Sequence, residues 1–168
     1  MNRRHFLASS LVGLAGAIGL GRPFAGAQAP TVEKVDKIVK ITRSPDEWRK
    51  ILTPVQFDVL REEGTERPFT SPLNHEKRKG LFHCAGCDLP LFSSDTKFES
   101  GTGWPSFYAS LPGALGTKTD LKLIVPRTEY HCARCDGHQG HVFDDGPAPT
   151  GKRFCNNGLA LRFMPAQA

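Results

Sequence analysis

Hydrophobic and polar positions fall into three textures along the chain. Residues 1–27 run from the basic start Asn2-Arg3-Arg4-His5, through an apolar, Gly/Ala-rich stretch from Phe6 to Leu20, to the small residues Ala25-Gly26-Ala27. Residues 28–43 are polar and charged, with a weak alternation around Ile38 to Ile41, and read as a flexible lead or an edge strand. From Ser44 onward the pattern becomes structured. Ser44-Pro45-Asp46-Glu47 combines an N-cap, a proline at the first helical position and a capping-box glutamate. Trp48, Ile51 and Leu52 follow on one face. Thr53-Pro54-Val55-Gln56 repeats the start signal, and Val55, Val59 and Leu60 continue the apolar face until Gly64 supplies a C′ residue. Two short helices are predicted.

After Pro68 the apolar runs shorten, and Gly, Pro, Asn or Asp interrupts them every few residues. Leu81-Phe82, Leu91-Phe92, Leu121 to Val125, Tyr130, Val142-Phe143 and the alternating Leu159, Leu161 and Phe163 read as strands. With 17 glycines and 13 prolines in 168 residues, the chain is too rich in turn formers for a helix bundle. An α+β domain, mainly β and dominated by antiparallel sheet, is the simplest architecture.

Charge changes the picture less than its total suggests. Lys and Arg number 22 against 17 acidic residues. The opening 27 residues, however, have the order of a twin-arginine-type signal peptide: paired arginines, a 15-residue apolar middle too short to span a bilayer, and an A-x-A-like cleavage site. An uncleaved anchor is the alternative. Cleavage after Ala27 removes Arg3, Arg4 and Arg22, leaving 19 basic against 17 acidic residues, a net charge of +2. No electrostatic case for a nucleic-acid partner then survives. Export would place the protein outside the cytoplasm, in a bacterial periplasm.

All five cysteines lie beyond the leader. Cys84-Ala85-Gly86-Cys87 and Cys132-Ala133-Arg134-Cys135 are two C-x-x-C units, each preceded by an aromatic residue and a histidine, and Cys155 stands alone. Two equivalent hairpin tips meeting at one metal would explain the repeat, since four thiolates are a preferred tetrahedral donor set for zinc. Disulfides or a thioredoxin-like redox pair are the competing readings. A closed four-thiolate site leaves no open position for a substrate, so chemistry must come from elsewhere; Cys155 is the natural candidate, a buried and inert thiol being the alternative. Arg153, two residues earlier, would share its face on a strand and favour the thiolate. His138 and His141 add imidazoles able to move protons near neutral pH, although buried, hydrogen-bonded structural histidines look the same in sequence.

The stretches Gly64-Thr65-Glu66-Arg67-Pro68-Phe69-Thr70, Ser100-Gly101-Thr102-Gly103-Trp104-Pro105-Ser106-Phe107, both C-x-x-C units, His138-Gln139-Gly140-His141-Val142-Phe143, Asp145-Gly146-Pro147 and Thr150 to Asn157 together resemble the methionine-R-sulfoxide reductases of the B type. The resemblance spans about Ser44 to Phe163 and identifies residues 44–168 as the reductase domain. It implies two antiparallel sheets with short N-terminal helices and a structural zinc on Cys84, Cys87, Cys132 and Cys135. It further implies Cys155 as nucleophile, His138 and His141 as proton donors, Asn157 as a fixing residue, and Trp104 as the wall against the substrate methyl group. Arg153, Phe143 and Ser106 join the substrate-binding set. The implied substrates are oxidised proteins or free methionine sulfoxide. Many relatives carry a resolving cysteine where this chain has Thr102; without it, Cys155 would be recycled by an external, thioredoxin-like thiol reductant.

Overall fold

The structure is a computed structural model that describes residues 38–122 and 125–167. The expected signal peptide over 1–27, and the lead as far as residue 37, lie outside the described residues. Residues 38–43 form no strand; Ile41 instead donates its N–H to the Arg134 carbonyl at 2.8 Å.

Helix α1 (Pro45–Ile51) and helix α2 (Pro54–Glu62) both begin as predicted, each with a reciprocal capping box. In α1 the Ser44 hydroxyl accepts the Glu47 N–H at 3.3 Å, and the Glu47 carboxylate accepts the Ser44 N–H at 2.8 Å. Trp48, Leu52, Phe57, Val59 and Leu60 are buried. Ile51 and Val55, expected on the same apolar face, are exposed because they flank the corner where the chain turns from α1 into α2. The left-handed residue that ends α2 is Glu63 (φ 56°), one position before Gly64, and Lys118 and Lys122 hold its carboxylate.

Among the described residues, nine strands build two antiparallel sheets. The smaller holds β1 (Gly80–Cys84), β2 (Pro90–Ser93) and β9 (Leu161–Pro165) in the order β2-β1-β9. The larger holds β3 (Lys97–Phe98), β4 (Ser106–Phe107), β5 (Leu115–Asp120), β6 (Arg127–Cys132), β7 (His138–Phe143) and β8 (Arg153–Asn156) in the order β3-β4-β8-β7-β6-β5. Leu159, read as part of a strand, lies in the 3₁₀ turn that leads into β9. The strand expected over Leu121 to Val125 is not seen in the described residues of that stretch: pairing with β6 stops at Asp120, and Leu121 and Val125 are 71% and 70% exposed. The edge strand is the preceding Thr/Lys-rich stretch, whose exposed lysine and threonines suit an unpaired border better than apolar residues would.

Aromatic rings join the two sheets. Phe92 of the smaller sheet stacks on Phe107 of the larger, with centroids 4.2 Å apart, and Phe82 meets Phe107 edge-on at 4.9 Å. Tyr130 and Phe154 extend the cluster from β6 and β8. Phe107 sits at its centre and is fully buried. Phe107→Ala is therefore expected to lower stability by about 3–5 kcal/mol, read in urea as an earlier midpoint with an unchanged slope.

Candidate active site and sulfur cluster

One row of the larger sheet carries most of the candidate catalytic residues. Ser106 on β4 is the Cα partner of Cys155 on β8, Cys155 that of His141 on β7, and His141 that of Glu129 on β6. Directly paired residues point to the same face, and their neighbours to the other. Phe107, Phe154 and Tyr130 therefore enter the aromatic core while Cys155, His141 and Glu129 face away from it.

His138 and His141 are three residues apart and would lie on opposite faces of a regular strand. A bulge at Gln139, where β6 pairing passes from Gly140 to His138, returns both imidazoles to one side, with ring centroids 5.6 Å apart. Gly140 permits the adjoining seam: a Cβ there would sit 1.9 Å from the Cys155 carbonyl oxygen.

A pocket of about 140 Å³ opens over this row. Among the predicted residues it is lined by Cys155, His141, Trp104, Phe143 and Asn157, joined by Thr65, Arg127, Gly140 and Asn156. The structure keeps three predicted residues out of the lining. His138 lies behind His141, with a side chain only 3% exposed. Ser106 is fully buried and donates to the Trp104 carbonyl at 3.1 Å. Arg153 makes two 2.8 Å hydrogen bonds to Asp145 and lies over the Phe143 ring. A larger pocket, of about 430 Å³, borders Ser71, Arg78 and Phe163 and contains none of the predicted residues.

The frame of the site is hydrogen-bonded. The Trp104 indole donates to the Glu66 carbonyl at 3.1 Å, and Asn157 accepts the Glu66 N–H at 3.1 Å and donates to the Gln139 carbonyl at 3.2 Å. Gly103, at φ 94°, lets this loop close on Pro68 and Phe69, where a Cβ would lie 2.8 Å from the Pro68 side chain. His141 Nε2 meets Asp120 Oδ2 at 2.7 Å. The Lys122 N–H, His141 and Arg127 hold the Asp120 carboxyl well below the usual carboxylate range. A chain of hydroxyls runs from Ser106 through Ser100 to Thr102, at 2.7 and 2.8 Å, and ends 4.0 Å from the Cys155 sulfur.

Burial pushes the Cys155 thiol above its ordinary range; the Thr102 hydroxyl and the Arg153 guanidinium pull the other way without reversing it. Arg153 thus favours the thiolate as expected, but desolvation outweighs it. Burial also holds His141 below the ordinary imidazole range, against its bond to Asp120. Thiol and imidazole are both neutral at neutral pH.

The other four cysteines form a second centre. Hairpin β1–β2 and hairpin β6–β7 present them from equivalent turns. In each the first cysteine N–H bonds the carbonyl five residues on, at 2.8 and 2.9 Å, and a left-handed aspartate, Asp88 or Asp136, follows the second cysteine. The sulfurs of Cys84, Cys87, Cys132 and Cys135 lie within 4.8 Å of one another, with Cys84 to Cys135 at 3.7 Å and Cys87 to Cys132 at 3.4 Å. A tetrahedron of metal–thiolate bonds about 2.3 Å long has sulfur–sulfur edges of about 3.8 Å, so this donor set fits a metal ion. All five cysteines are free in the structure. Hydrogen bonds among the four sulfurs push the Cys84 and Cys132 thiols up and the Cys87 and Cys135 thiols down. Trp48 and Leu60 cover the first turn at Gly86, and Arg61 donates to the Cys135 carbonyl at 2.9 Å.

Sequence reasoning did not single out Asp120, Glu129, Gln139 or Asp145 as part of the site. Gln139 and Asp145 lay inside quoted motifs. Asp120 and Glu129 carried no local signal, because the residues they meet arrive through sheet pairing.

Comparison with known sequences matches this geometry. The family model of the SelR domain covers residues 52–165. A peptide methionine sulfoxide reductase MsrB of Methanosarcina barkeri is 54% identical over 124 residues, 73% of this chain and 87% of that protein. An MsrB of Pseudomonas putida is 54% identical over 127 residues, 75% of this chain and 96% of its own. The chloroplastic peptide methionine sulfoxide reductase B1 of Arabidopsis thaliana is 46% identical over 144 residues, 85% of this chain and 71% of its own. A lone thiol facing an imidazole, on a mainly β fold with these relatives, defines the class as an oxidoreductase. The chain belongs to the methionine sulfoxide reductase B family.

Since the guanidinium favours the Cys155 thiolate, Arg153→Ala is expected to move the pH midpoint of Cys155 alkylation by iodoacetamide upward. An unchanged or lower midpoint would show that the guanidinium does not act on the sulfur.

Proposed function

We propose that this protein reduces methionine-R-sulfoxide, in oxidised proteins or as the free amino acid, through a sulfenic acid on Cys155. The observation that supports this most directly is the pairing of Cys155 with His141 under one pocket walled by Trp104 and Phe143.

The resting pair is a neutral thiol and a neutral imidazole. Nε2 of His141 is committed to Asp120, which leaves Nδ1 to receive the Cys155 proton. The thiolate so formed attacks the sulfoxide sulfur, forming a transient sulfur–sulfur bond, and the same proton passes from His141 to the sulfoxide oxygen; that oxygen then moves to the Cys155 sulfur as the sulfur–sulfur bond and the substrate sulfur–oxygen bond break. The oxygen ends on Cys155 as a sulfenic acid, and methionine leaves reduced by two electrons. No outside proton is consumed. An indole wall on one side, an imidazole on another and the attacking sulfur on a third are three fixed points, enough to distinguish the two sulfoxide epimers. His138 supports the acid role from behind His141, and Asn157, Arg153 and Ser106 hold the walls.

Two external thiol groups, such as the pair on one thioredoxin-like dithiol, return the sulfenic acid to thiol, releasing water and a disulfide. The hydroxyl of Thr102 near the Cys155 sulfur, where a resolving cysteine would otherwise act, supports that route. Cys84, Cys87, Cys132 and Cys135 would hold zinc as a structural ion; four thiolates fill its tetrahedron, so its contribution is folding free energy. The leader over residues 1–27 supports export through the twin-arginine machinery to the periplasm, where repair of oxidised proteins would be the role.

Cys155→Ser is expected to reduce R-sulfoxide turnover by more than roughly a thousandfold while bound zinc stays at one ion per chain by elemental analysis. Wild-type protein given substrate without reductant should carry one added oxygen on Cys155 by mass spectrometry. A disulfide from Cys155 to a cluster cysteine, or an active serine variant, would overturn the reading.

In single turnovers the rate should follow a bell against pH. Its acid limb lies below the ordinary histidine value of 6.5, where protonated His141 can no longer take the thiol proton. Its alkaline limb lies above the ordinary cysteine value of 9.0, where the shared proton is lost. An alkaline limb below 9.0 contradicts a resting thiol.

A further inference from the structure

The larger sheet holds a buried carboxylate that the chemistry above leaves unused. Glu129, on β6, has a side chain 2% exposed, and both of its oxygens are engaged. Oε1 meets His138 Nδ1 at 2.7 Å, and Oε2 meets His131 Nδ1 at 3.1 Å. Across the sheet its partners are Lys118 on β5 and His141 on β7, but Lys118 turns its ammonium to Glu63 at 2.5 Å. The groups that face the carboxylate are therefore two imidazoles. Burial raises the Glu129 carboxyl, and the hydrogen bonds from His138 and His131 lower it by more, so it remains ionised.

An ionised carboxylate only accepts hydrogen bonds, so Nδ1 of His138 carries the proton that lies between it and Glu129. His138 does not border the pocket. Its link to the reaction is His141, whose ring it meets at 65° with centroids 5.6 Å apart. The two imidazoles are thus anchored by different carboxylates, His141 through Nε2 on Asp120 and His138 through Nδ1 on Glu129. Burying a charge among strands is costly, and an apolar set of the same volume would pack the sheet at lower cost. The charge is explained if a particular tautomer is required.

We infer that Glu129 is a positioning residue for this reaction: it fixes the proton and orientation of His138, which in turn holds His141 in place opposite Cys155. The inference rests on the roles proposed above for Cys155 and His141. The tautomer of His138 is read without substrate, so its test can fail independently of theirs.

The test uses the full, metal-loaded chain labelled with ¹⁵N-histidine. Nuclear magnetic resonance of the wild type should show His138 protonated at Nδ1. Glu129→Leu, which removes the acceptor at similar volume, should shift His138 toward the Nε2-protonated form. It should lower kcat about tenfold or more, with KM within about twofold. Glu129→Gln keeps an acceptor oxygen and should retain the Nδ1-protonated form and most of kcat. Wild-type His138 protonated at Nε2 overturns the inference. So does a Glu129→Leu variant with shifted tautomer and undiminished kcat, or a Glu129→Gln variant that keeps the tautomer without the rate. If Glu129→Leu does not fold, the wild-type spectrum and the glutamine variant decide.

Discussion

The pairing of β8 between β4 and β7 determines which way each residue of Arg153–Asn156 points. Because side chains alternate along a strand, a slip of one residue would turn Cys155 into the aromatic core and carry Phe154 to the pocket. The core opposes that slip. Phe154 is held edge-on by Tyr130 at 5.3 Å, and Tyr130 donates to Asn156 Oδ1 at 2.8 Å, one residue beyond the Cys155 sulfur. A hydrogen bond with a defined donor and acceptor specifies register where apolar contacts alone would tolerate sliding. The position of the Cys155 sulfur is therefore a property of the whole sheet.

The sulfur cluster acts on the same problem at longer range. Cys84 and Cys87 belong to a hairpin of the smaller sheet, and Cys132 and Cys135 to a hairpin of the larger, so their meeting ties the two layers at one end while the aromatic rings tie them through the middle. Both hairpins carry a register shift just before the first cysteine, at Phe82/His83 and at Tyr130/His131. In the second hairpin that shift also leaves Gln139 unpaired and brings His138 beside His141. One local distortion thus shapes the sulfur turn and arranges the imidazoles. Gln139 connects the two centres, its amide donating to the Cys84 sulfur at 3.5 Å and its carbonyl accepting the Asn157 N–H at 2.8 Å.

What could be read in the chain was what is encoded locally. The capping boxes at Ser44 and Thr53 announce their helices within four residues, and each C-x-x-C unit declares its turn by spacing alone. The pocket residues Cys155, His141, Trp104, Phe143 and Asn157 were legible for the same reason, as parts of short motifs. Other features depend on pairing between distant segments. The edge strand Leu115–Asp120 looks like a polar loop until β6 lies beside it, and the apolar Leu121 to Val125 stretch imitates the strand it follows. Asp120 and Glu129 are ordinary acids in sequence; only the sheet brings imidazoles to them. That Ser106 and His138 sit outside the pocket likewise follows from burial and a bulge, neither of which spacing reveals.

Gly140 separates two kinds of tolerance to change. Its neighbours meet other side chains, which can be exchanged, resized or compensated by substitutions elsewhere. At Gly140 the obstacle is the Cys155 backbone itself, and no replacement elsewhere in the chain can delete a peptide carbonyl. Among descendants of this gene, drift at that codon is closed by geometry even where the chemistry around it is free to vary.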